Sequence, residues 1–377
     1  MNFKKTLSLQ TCPSKTDVSQ LSLRVYETTT NFKPKVVQPS PFCVTTVPVL
    51  IDGIPSRIPI NVLHEGKQLP GTFKVRGAEC AIQVGLRSGA INRAVGVITA
   101  SAGNHASGLS SVCKREKIPC TIYMPTGTDP KKIQNCMDND ATVILHGTTF
   151  DDANKQAQQV ATDQLIPFIP PYNDPDVIAG QGSVFNVILA NLHANGSLPK
   201  KIVVVVPIGG GGLIAGIANT AMHTIDRHFP DLTIEIVGVE LPPEGSSDSR
   251  LKHLLDGAPV YSHVSANPFA AGAAVKQLGA IPADIITFVQ ASHTVTLTPL
   301  MITMPQIVRA MRILNEQGYH FGEEAGNPPA EPTGAMSIAG LIEYYRTHSV
   351  DTNTQVIPVI TGSNINEAAL NTILNPH

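Results

Sequence analysis

From Gly96 onward, short runs of β-branched residues alternate with longer segments whose apolar positions recur at helical spacing, the rhythm of strand–helix units around a parallel sheet. GVITAS (96–101), CTIYMP (120–125) and TVILHG (142–147) read as strands. Asn104–Glu116, Asp129–Asp138 and the segment after Phe150 read as helices, the last with Ala153, Ala157, Val160 and Ala161 on one face. This set can close into a small sheet domain of its own. Beyond the proline-rich PFIPPYNDP (167–175), a helix runs towards Asn195. KIVVVVPIG (201–209) is apolar without alternation, which predicts a strand buried on both faces. It feeds a glycine loop, a helix from Leu213 to about His228 and a second buried strand, IEIVGVE (234–240). Helices around Pro305–Gln317 and Met336–Tyr345 flank a last apolar strand, VIPVIT (356–361). Roughly the first 60 residues, rich in Thr, Pro and Val, are hard to place, and neither an internal repeat nor a low-complexity segment is found.

A chain of 377 residues exceeds one minimal domain and fits two packed lobes. With 27 Lys+Arg against 29 Asp+Glu, the net charge of -2 supplies no basic field for nucleic acid or an anionic membrane surface. The 30 Gly and 30 Pro fall in discrete motifs and so mark turns, not disorder. Cys12, Cys43, Cys80, Cys113, Cys120 and Cys136 form no CxxC pair and no zinc-like spacing, which points to a reduced compartment. The N-terminal MNFKKTLSLQTCPSKT lacks a signal-peptide apolar core and resembles a transit peptide only in its Ser/Thr content. It reads as a mobile lead-in, so a cytoplasmic location is expected and organellar import stays open. The apolar stretch Ile202–Ala218 is cut by Pro207 and four glycines and is too short to span a bilayer.

Three motifs carry chemistry. In VVVVPIGGGGLIAG a buried strand runs into Gly209, Gly210, Gly211 and Gly212 and then into an apolar helix. Glycines let the backbone approach a ligand with its N–H groups free, and the helix N-terminus adds a positive dipole, so the loop suits a phosphate. The spacing is neither GxGxxG nor GxxxxGK[ST]; a tight strand-to-helix turn is the plain alternative. TASAGNHASG (99–108) also opens a helix at a strand end, and there Ser101, Asn104 and His105 suit an anion such as a carboxylate. Simple helix capping would explain one of these residues. GTFKVRGA (71–78) offers Lys74 between glycines, and most such lysines are solvated.

In the order TFKVRGA, TASAGNHASG, PYNDPDVIAGQG, PIGGGGLIAG, AEPTGAMSIAGL and ITGSNIN, these motifs resemble the pyridoxal-phosphate threonine dehydratases of the tryptophan-synthase-β-like fold, fold type II. The resemblance runs from about Val62 to Asn366. It implies an α/β fold of two domains with parallel-rich twisted sheets and helices on both faces. Residues 1–93 and 176–377 would form a large cofactor-binding domain, and 94–175 a small inserted domain that closes over substrate. Lys74 would form the Schiff base with pyridoxal 5′-phosphate, with Phe73 preceding it as the family's aromatic does. Gly209–Gly212 and Leu213 would cradle the cofactor phosphate, Asn104 would lie beside the ring hydroxyl, and Thr361 near the pyridine nitrogen. Glu331 and Gly334 fall in a segment that lines the ring in relatives. Ser101, Ala102, Gly103, Asn104 and His105 form the loop that would hold the substrate carboxylate.

The chemistry implied is α,β-elimination from a β-hydroxy amino acid, L-threonine or L-serine, to a 2-oxo acid and ammonia. A lysine on an apolar flank can have its pKa lowered and act as the base at the α-carbon. The neutral Thr361 hydroxyl cannot protonate the ring nitrogen, which favours elimination over transamination, and the cofactor phosphate is the acid expected at the leaving hydroxide. Family racemases carry a serine where this chain has Ala102, so racemisation is disfavoured. Two departures leave the substrate side chain open: Leu63-His64-Glu65-Gly66 stands for the usual KRED, losing two cations, and Phe269-Ala270-Ala271-Gly272 lacks the usual acid. The 11 residues after Asn366 leave no room for a regulatory domain, so feedback control by isoleucine is not expected. Glu240 and Glu244 are four apart, a spacing more often solvated than metal-binding, and no metal is expected. The resemblance also implies a homodimer. Another β-elimination or β-replacement on an unusual amino acid remains an alternative, as does a non-catalytic ligand-binding homologue. A nicotinamide oxidoreductase is the weakest reading, for want of GxGxxG.

Overall fold

The computed structural model describes residues 15–375 except 36, 39, 52, 197, 243–245, 247, 259–267 and 321–325. Cys12, the lead-in as far as residue 14, and Glu244 lie outside the described residues. The chain begins with α1 (Lys15–Asn31), a hairpin of β1 (Phe42–Ile51) and β2 (Ile54–His64), and α2 (Lys74–Ser88). There follow β3 (Val97–Ala100), α3 (Asn104–Glu116), β4 (Cys120–Met124), α4 (Pro130–Met137), β5 (Thr142–Leu145) and α5 (Phe150–Gln164). α6 (Pro175–Ala194) then leads to β6 (Lys201–Pro207), α7 (Gly212–His228), β7 (Thr233–Glu240), α8 (Arg250–Leu255) and α9 (Ala280–Ser292). The last elements are β8 (Val295–Met301), α10 (Met304–Glu316), α11 (Pro332–Thr347), β9 (Thr354–Ile360) and α12 (Glu367–Leu374).

Two sheets result. A six-stranded sheet has the order β1-β2-β9-β6-β7-β8, parallel except for the antiparallel β1–β2 hairpin, and a three-stranded parallel sheet has the order β3-β4-β5. The larger sheet is covered on both faces, and the alternation of β6 shows why its sequence is apolar throughout. Ile202, Val204 and Val206 enter one core with residues of α1, α6, α7 and α9, whereas Val203 and Val205 enter the other with residues of α10, α11 and α12. Each such side chain is stabilised by about 1.5–3 kcal/mol relative to leaving it in water. The smaller sheet divides likewise: Ile122 and Met124 pack towards α2 and α3, and Ile98, Ala100 and Tyr123 towards Ala153, Ala157 and Ala161 of α5. The chain therefore adopts the expected α/β architecture with parallel-rich sheets.

Local signals explain where several helices start. Asp129 caps α4 and Asp174 caps α6, each followed by a proline at the first helical position; Thr149 and Asp152 form a capping box on α5. By length and composition α6 suits a bilayer, but it packs inside this molecule against α2 and α7.

The N-terminal 60 residues, unplaced by pattern, supply a helix and an edge hairpin. Ser22, Val25 and Thr29 share one face of α1 and are buried. Thr29 Oγ1 donates to the Ala179 carbonyl of α6 at 3.0 Å, and Ser22 Oγ donates to Asn219 Oδ1 of α7 at 2.5 Å. Helices α2 and α9 and strand β8 likewise lay beyond the periodic pattern.

Candidate active site

Lys74 is the first residue of α2 and Phe73 its N-cap. The Phe73 N–H donates to the Thr361 carbonyl at 3.0 Å, and Thr72 bridges to Gly362, so the approach to the lysine is stitched to the loop after β9. Lys74 Nζ donates to the Pro171 carbonyl at 2.7 Å, and lies 5.0 Å from the Phe73 ring centroid and 5.9 Å from that of Tyr172. Among the described residues no carboxylate pairs with it. Burial alone lowers its pKa to about 8. A neutral amine is therefore accessible just above neutrality, as a nucleophile or base requires.

The glycine loop stands across the Pro171–Tyr172 dipeptide from this amine. A Cβ on Gly210 would drive into the Tyr172 ring, one on Gly209 into the Gly272 carbonyl, and one on Gly212 to 2.5 Å from Gln181 Oε1. Gly211 has φ +87°, a left-handed conformation that a side chain would strain. α7 starts there without a side-chain cap. The N–H groups of Gly209, Gly210, Gly211 and Gly212 donate to no described residue, which leaves consecutive donors at a helix N-terminus. The Leu213 side chain points into the core, so only its backbone can serve the loop.

The loop after β3 is built in the same way. Ser101 Oγ accepts from the Gly103 N–H at 3.2 Å, and α3 opens at Gly103 with no side-chain cap. Ala102 is half-buried beside it. The His105 ring is buried and its Nε2 bonds the Ile169 carbonyl at 2.9 Å, leaving Nδ1 without a partner among the described residues. Burial, then the nearby Lys74 charge, hold its pKa down at about 3, so the imidazole is neutral. Any part it takes in anion binding runs through its backbone N–H.

Asn104 joins this loop to the far side of the site. Its Nδ2 donates to Glu331 Oε1 at 2.6 Å, and its Oδ1 accepts from Asn364 Nδ2 at 2.7 Å. Burial raises the Glu331 pKa to about 7, with the Asn104 bond opposing it. The Glu331 N–H donates to the Gly362 carbonyl at 3.0 Å, and a Cβ on Gly334 would meet that carbonyl at 2.7 Å. Thr361 is buried next to Gly362. Phe73, Lys74, Asn104, Glu331 and Thr361 thus converge on one region, with Tyr172, Gln181 and Asn364 as neighbours that pattern reading did not single out.

The Leu63–Gly66 departure is accommodated by burial. Glu65 accepts from Arg76 Nε at 2.6 Å and Nη2 at 2.7 Å, a bidentate pair two residues beyond Lys74. His64 is buried, accepts from the Gly66 N–H at 3.2 Å and bonds the Pro328 carbonyl through Nε2 at 2.9 Å. Ala271 is exposed beside Gly272. Glu240 is fully engaged: it pairs with Arg250 and accepts from the Leu251 N–H and the Ser249 hydroxyl.

Pyridoxal phosphate, the group that the sequence resemblance implies, fits these residues. It needs an anion seat, an amine not tied to an acid, and polar groups at its ring. The free amides of the glycine loop, the half-buried Lys74 amine, and the polar groups of Asn104 and Glu331 answer those needs, and among the described residues Gln181 Oε1, beside Gly212, is buried without a partner. A cleft of about 670 Å³ between the β1–β2 hairpin and α10–α11 contains none of these residues.

Comparison with known proteins points the same way. The pattern of the family described as "Pyridoxal-phosphate dependent enzyme" matches residues 54–362. The biosynthetic L-threonine dehydratase of Pasteurella multocida is 34% identical over 309 residues, 81% of this chain and 53% of the relative. The L-threonine ammonia-lyase of Geobacter sulfurreducens is 32% identical over 317 residues, 84% of this chain and 70% of the relative. The chain thus spans about half the length of the biosynthetic relatives it matches. Among solved structures, the processed form of threonine deaminase isoform 2 from Solanum lycopersicum superposes with a TM-score of 0.71 at 26% identity, covering 96% of this chain and 93% of that one.

Proposed function

The chain belongs to the pyridoxal-phosphate dependent enzyme family, and on that premise we propose that it is an ammonia-lyase that dehydrates and deaminates a β-hydroxy amino acid, L-threonine or L-serine, to a 2-oxo acid and ammonia. The observation that carries the reading is Lys74: a half-buried amine with its pKa lowered to about 8 and no acid partner among the described residues, beside the Tyr172 ring against which the free glycine amides are packed. The relatives named above for threonine dehydration, deamination or ammonia release support the reaction class.

Lys74 would hold the cofactor covalently, Gly209–Gly212 and the Leu213 N–H would bind its phosphate, and Phe73, Asn104, Glu331 and Thr361 would line its ring. When bound, pyridoxal phosphate supplies the electron sink that lets the Cα–H bond break and the β-hydroxyl leave. The Lys74 Nζ, deprotonated at modest cost, takes the proton from the α-carbon. Amides at the start of α3, with Ser101 holding the loop, bind the substrate carboxylate. Ala102 offers no side chain that could deliver a proton to the opposite face of Cα, so elimination is favoured over racemisation. The Thr361 hydroxyl stays neutral at all working pH. Residues 94–175 would form the unit that closes over substrate and excludes water.

A homodimer belongs to the same proposal, as does a reducing cytoplasmic or organellar compartment, the latter supported by the five described cysteines, all free and buried. The test is to purify the chain with pyridoxal phosphate, record its near-visible spectrum and assay 2-oxo acid release from L-threonine, L-serine and their D-enantiomers. A cofactor band with 2-oxobutanoate from L-threonine is expected. A band without 2-oxo acid would move the substrate elsewhere, and the absence of a band would overturn the reading.

A further inference from the structure

The glycine loop is held from behind by a side chain that no motif contains. Arg250 lies in the first turn of α8, nearly buried, with 7% of its side chain exposed. Its Nη1 donates to the Gly209 carbonyl at 3.2 Å and to the Val275 carbonyl at 2.6 Å, and its Nη2 donates to the Ile208 carbonyl at 3.1 Å. Its Nε donates to Glu240 Oε1 at 2.8 Å. Glu240, the last residue of β7, is fixed in turn by the Ser249 hydroxyl and by the Leu251 N–H at 3.1 Å. The next carbonyl, that of Gly210, accepts from the Gly279 N–H at 3.0 Å. Three consecutive carbonyls of the loop are therefore turned away from the site, two of them towards one guanidinium. A peptide unit with its carbonyl on one side presents the following N–H on the other, so the amides of Gly209, Gly210 and Gly211 face the opposite way.

We propose that Arg250, neutralised by Glu240, is a positioning residue that holds the glycine loop in the orientation that receives a phosphate. The proposal rests on the reading of this loop as the cofactor's phosphate seat. A planar fork that spans several carbonyls cannot be replaced by a lysine, whose donors radiate from one point. A free glycine loop has many backbone states, and anion affinity falls by the fraction of time its amides are misdirected.

The experiment compares pyridoxal phosphate with pyridoxal, which lacks the phosphate, as ligands of the wild type, Arg250→Lys and Arg250→Met. Binding is followed by the near-visible band, and inorganic phosphate by its protection of the cofactor-free chain against thermal unfolding. Both variants are expected to bind pyridoxal phosphate about tenfold or more weakly and to lose phosphate protection, with pyridoxal affinity held within about twofold. If Arg250→Met does not fold, Arg250→Lys decides. Equal weakening for both ligands would reduce Arg250 to general structural support, and unchanged pyridoxal phosphate affinity would remove its role altogether; either overturns the proposal. A wild type that is protected by phosphate but gives no band refutes the cofactor reading, and phosphate protection in the variants then judges Arg250. A wild type that responds to neither overturns both.

Discussion

Asn104 Nδ2 and Glu331 Oε1 lie 2.6 Å apart, although one side chain opens the helix after the first strand of the small sheet and the other opens α11 against the large one. Burial keeps the carboxyl protonated to about pH 7, whereas an exposed glutamate titrates near 4.5. A raised folded pKa contributes stability that is fully present below 4.5 and is lost as pH rises through 7. Glu331→Gln keeps an acceptor for Asn104 and removes the titration. Denaturant midpoints measured from pH 4.5 to 8 isolate this group by difference: the stability of the wild type relative to the variant is expected to fall as pH rises across the range, and parallel curves would show that Glu331 ionises normally.

Lys74→Ala is expected to abolish the cofactor band and to cut turnover by about a thousandfold or more, since the same amine anchors the cofactor and moves the proton. The same residue also costs stability. Its pKa is depressed from 10.5 to about 8, so the stability that it permits is complete only above 10.5 and is lost as pH falls towards 8. Lys74→Met should therefore raise the melting temperature of the cofactor-free chain at pH 7, and the gain should disappear near pH 10.5.

The Glu65–Arg76 pair is almost wholly inaccessible, with 0% and 2% of the two side chains exposed. Removing either partner leaves a buried charge uncompensated, so Glu65→Ala or Arg76→Ala should each cost about 3–5 kcal/mol. The double variant should cost clearly less than the sum of the two. Urea unfolding of the four proteins checks both statements.

The docking of α1 is acid-sensitive. Ser22 Oγ lies 2.9 Å from His223 Nε2, and burial, then Arg227, lower the His223 pKa from 6.5 to about 4. The depressed value means that stability is present above pH 6.5 and is lost as pH falls through 4. The protection of α1 amides against hydrogen exchange, taken relative to the intrinsic exchange rate at each pH, should fall across that interval, ahead of α6, and His223→Asn should weaken the dependence.

Where the chain announces its structure locally, sequence and structure coincide: α3 spans the very residues read from periodicity, and the apolar run into Gly209–Gly212 becomes β6 and the loop before α7. Elsewhere the deciding partner is remote. α1 is a polar helix whose described buried stripe faces α6, α7 and α9, so its own segment marks it faintly, by Val18, Leu21 and Val25 at helical spacing. The β1–β2 hairpin does carry a local signal, Asp52-Gly53 between two β-rich runs, with Gly53 at φ +79° and Ile51 paired with Ile54. Leu63–Gly66 looked depleted of charge because the counterpart of Glu65 is on α2, eleven residues on. Arg250 and Tyr172 gain their meaning only from the loop that they touch.

The seam between β2 and β9 has a consequence for biosynthesis. The strands share only the pairs Leu63↔Val359 and His64↔Ile360, and the Phe73 N–H and the Gly71 carbonyl are met by Thr361 and Ser363. A ribosome delivers the β2 side of this seam long before the β9 side. The hairpin therefore waits with one edge open until β9 emerges, and the pocket around the reactive amine cannot form before then.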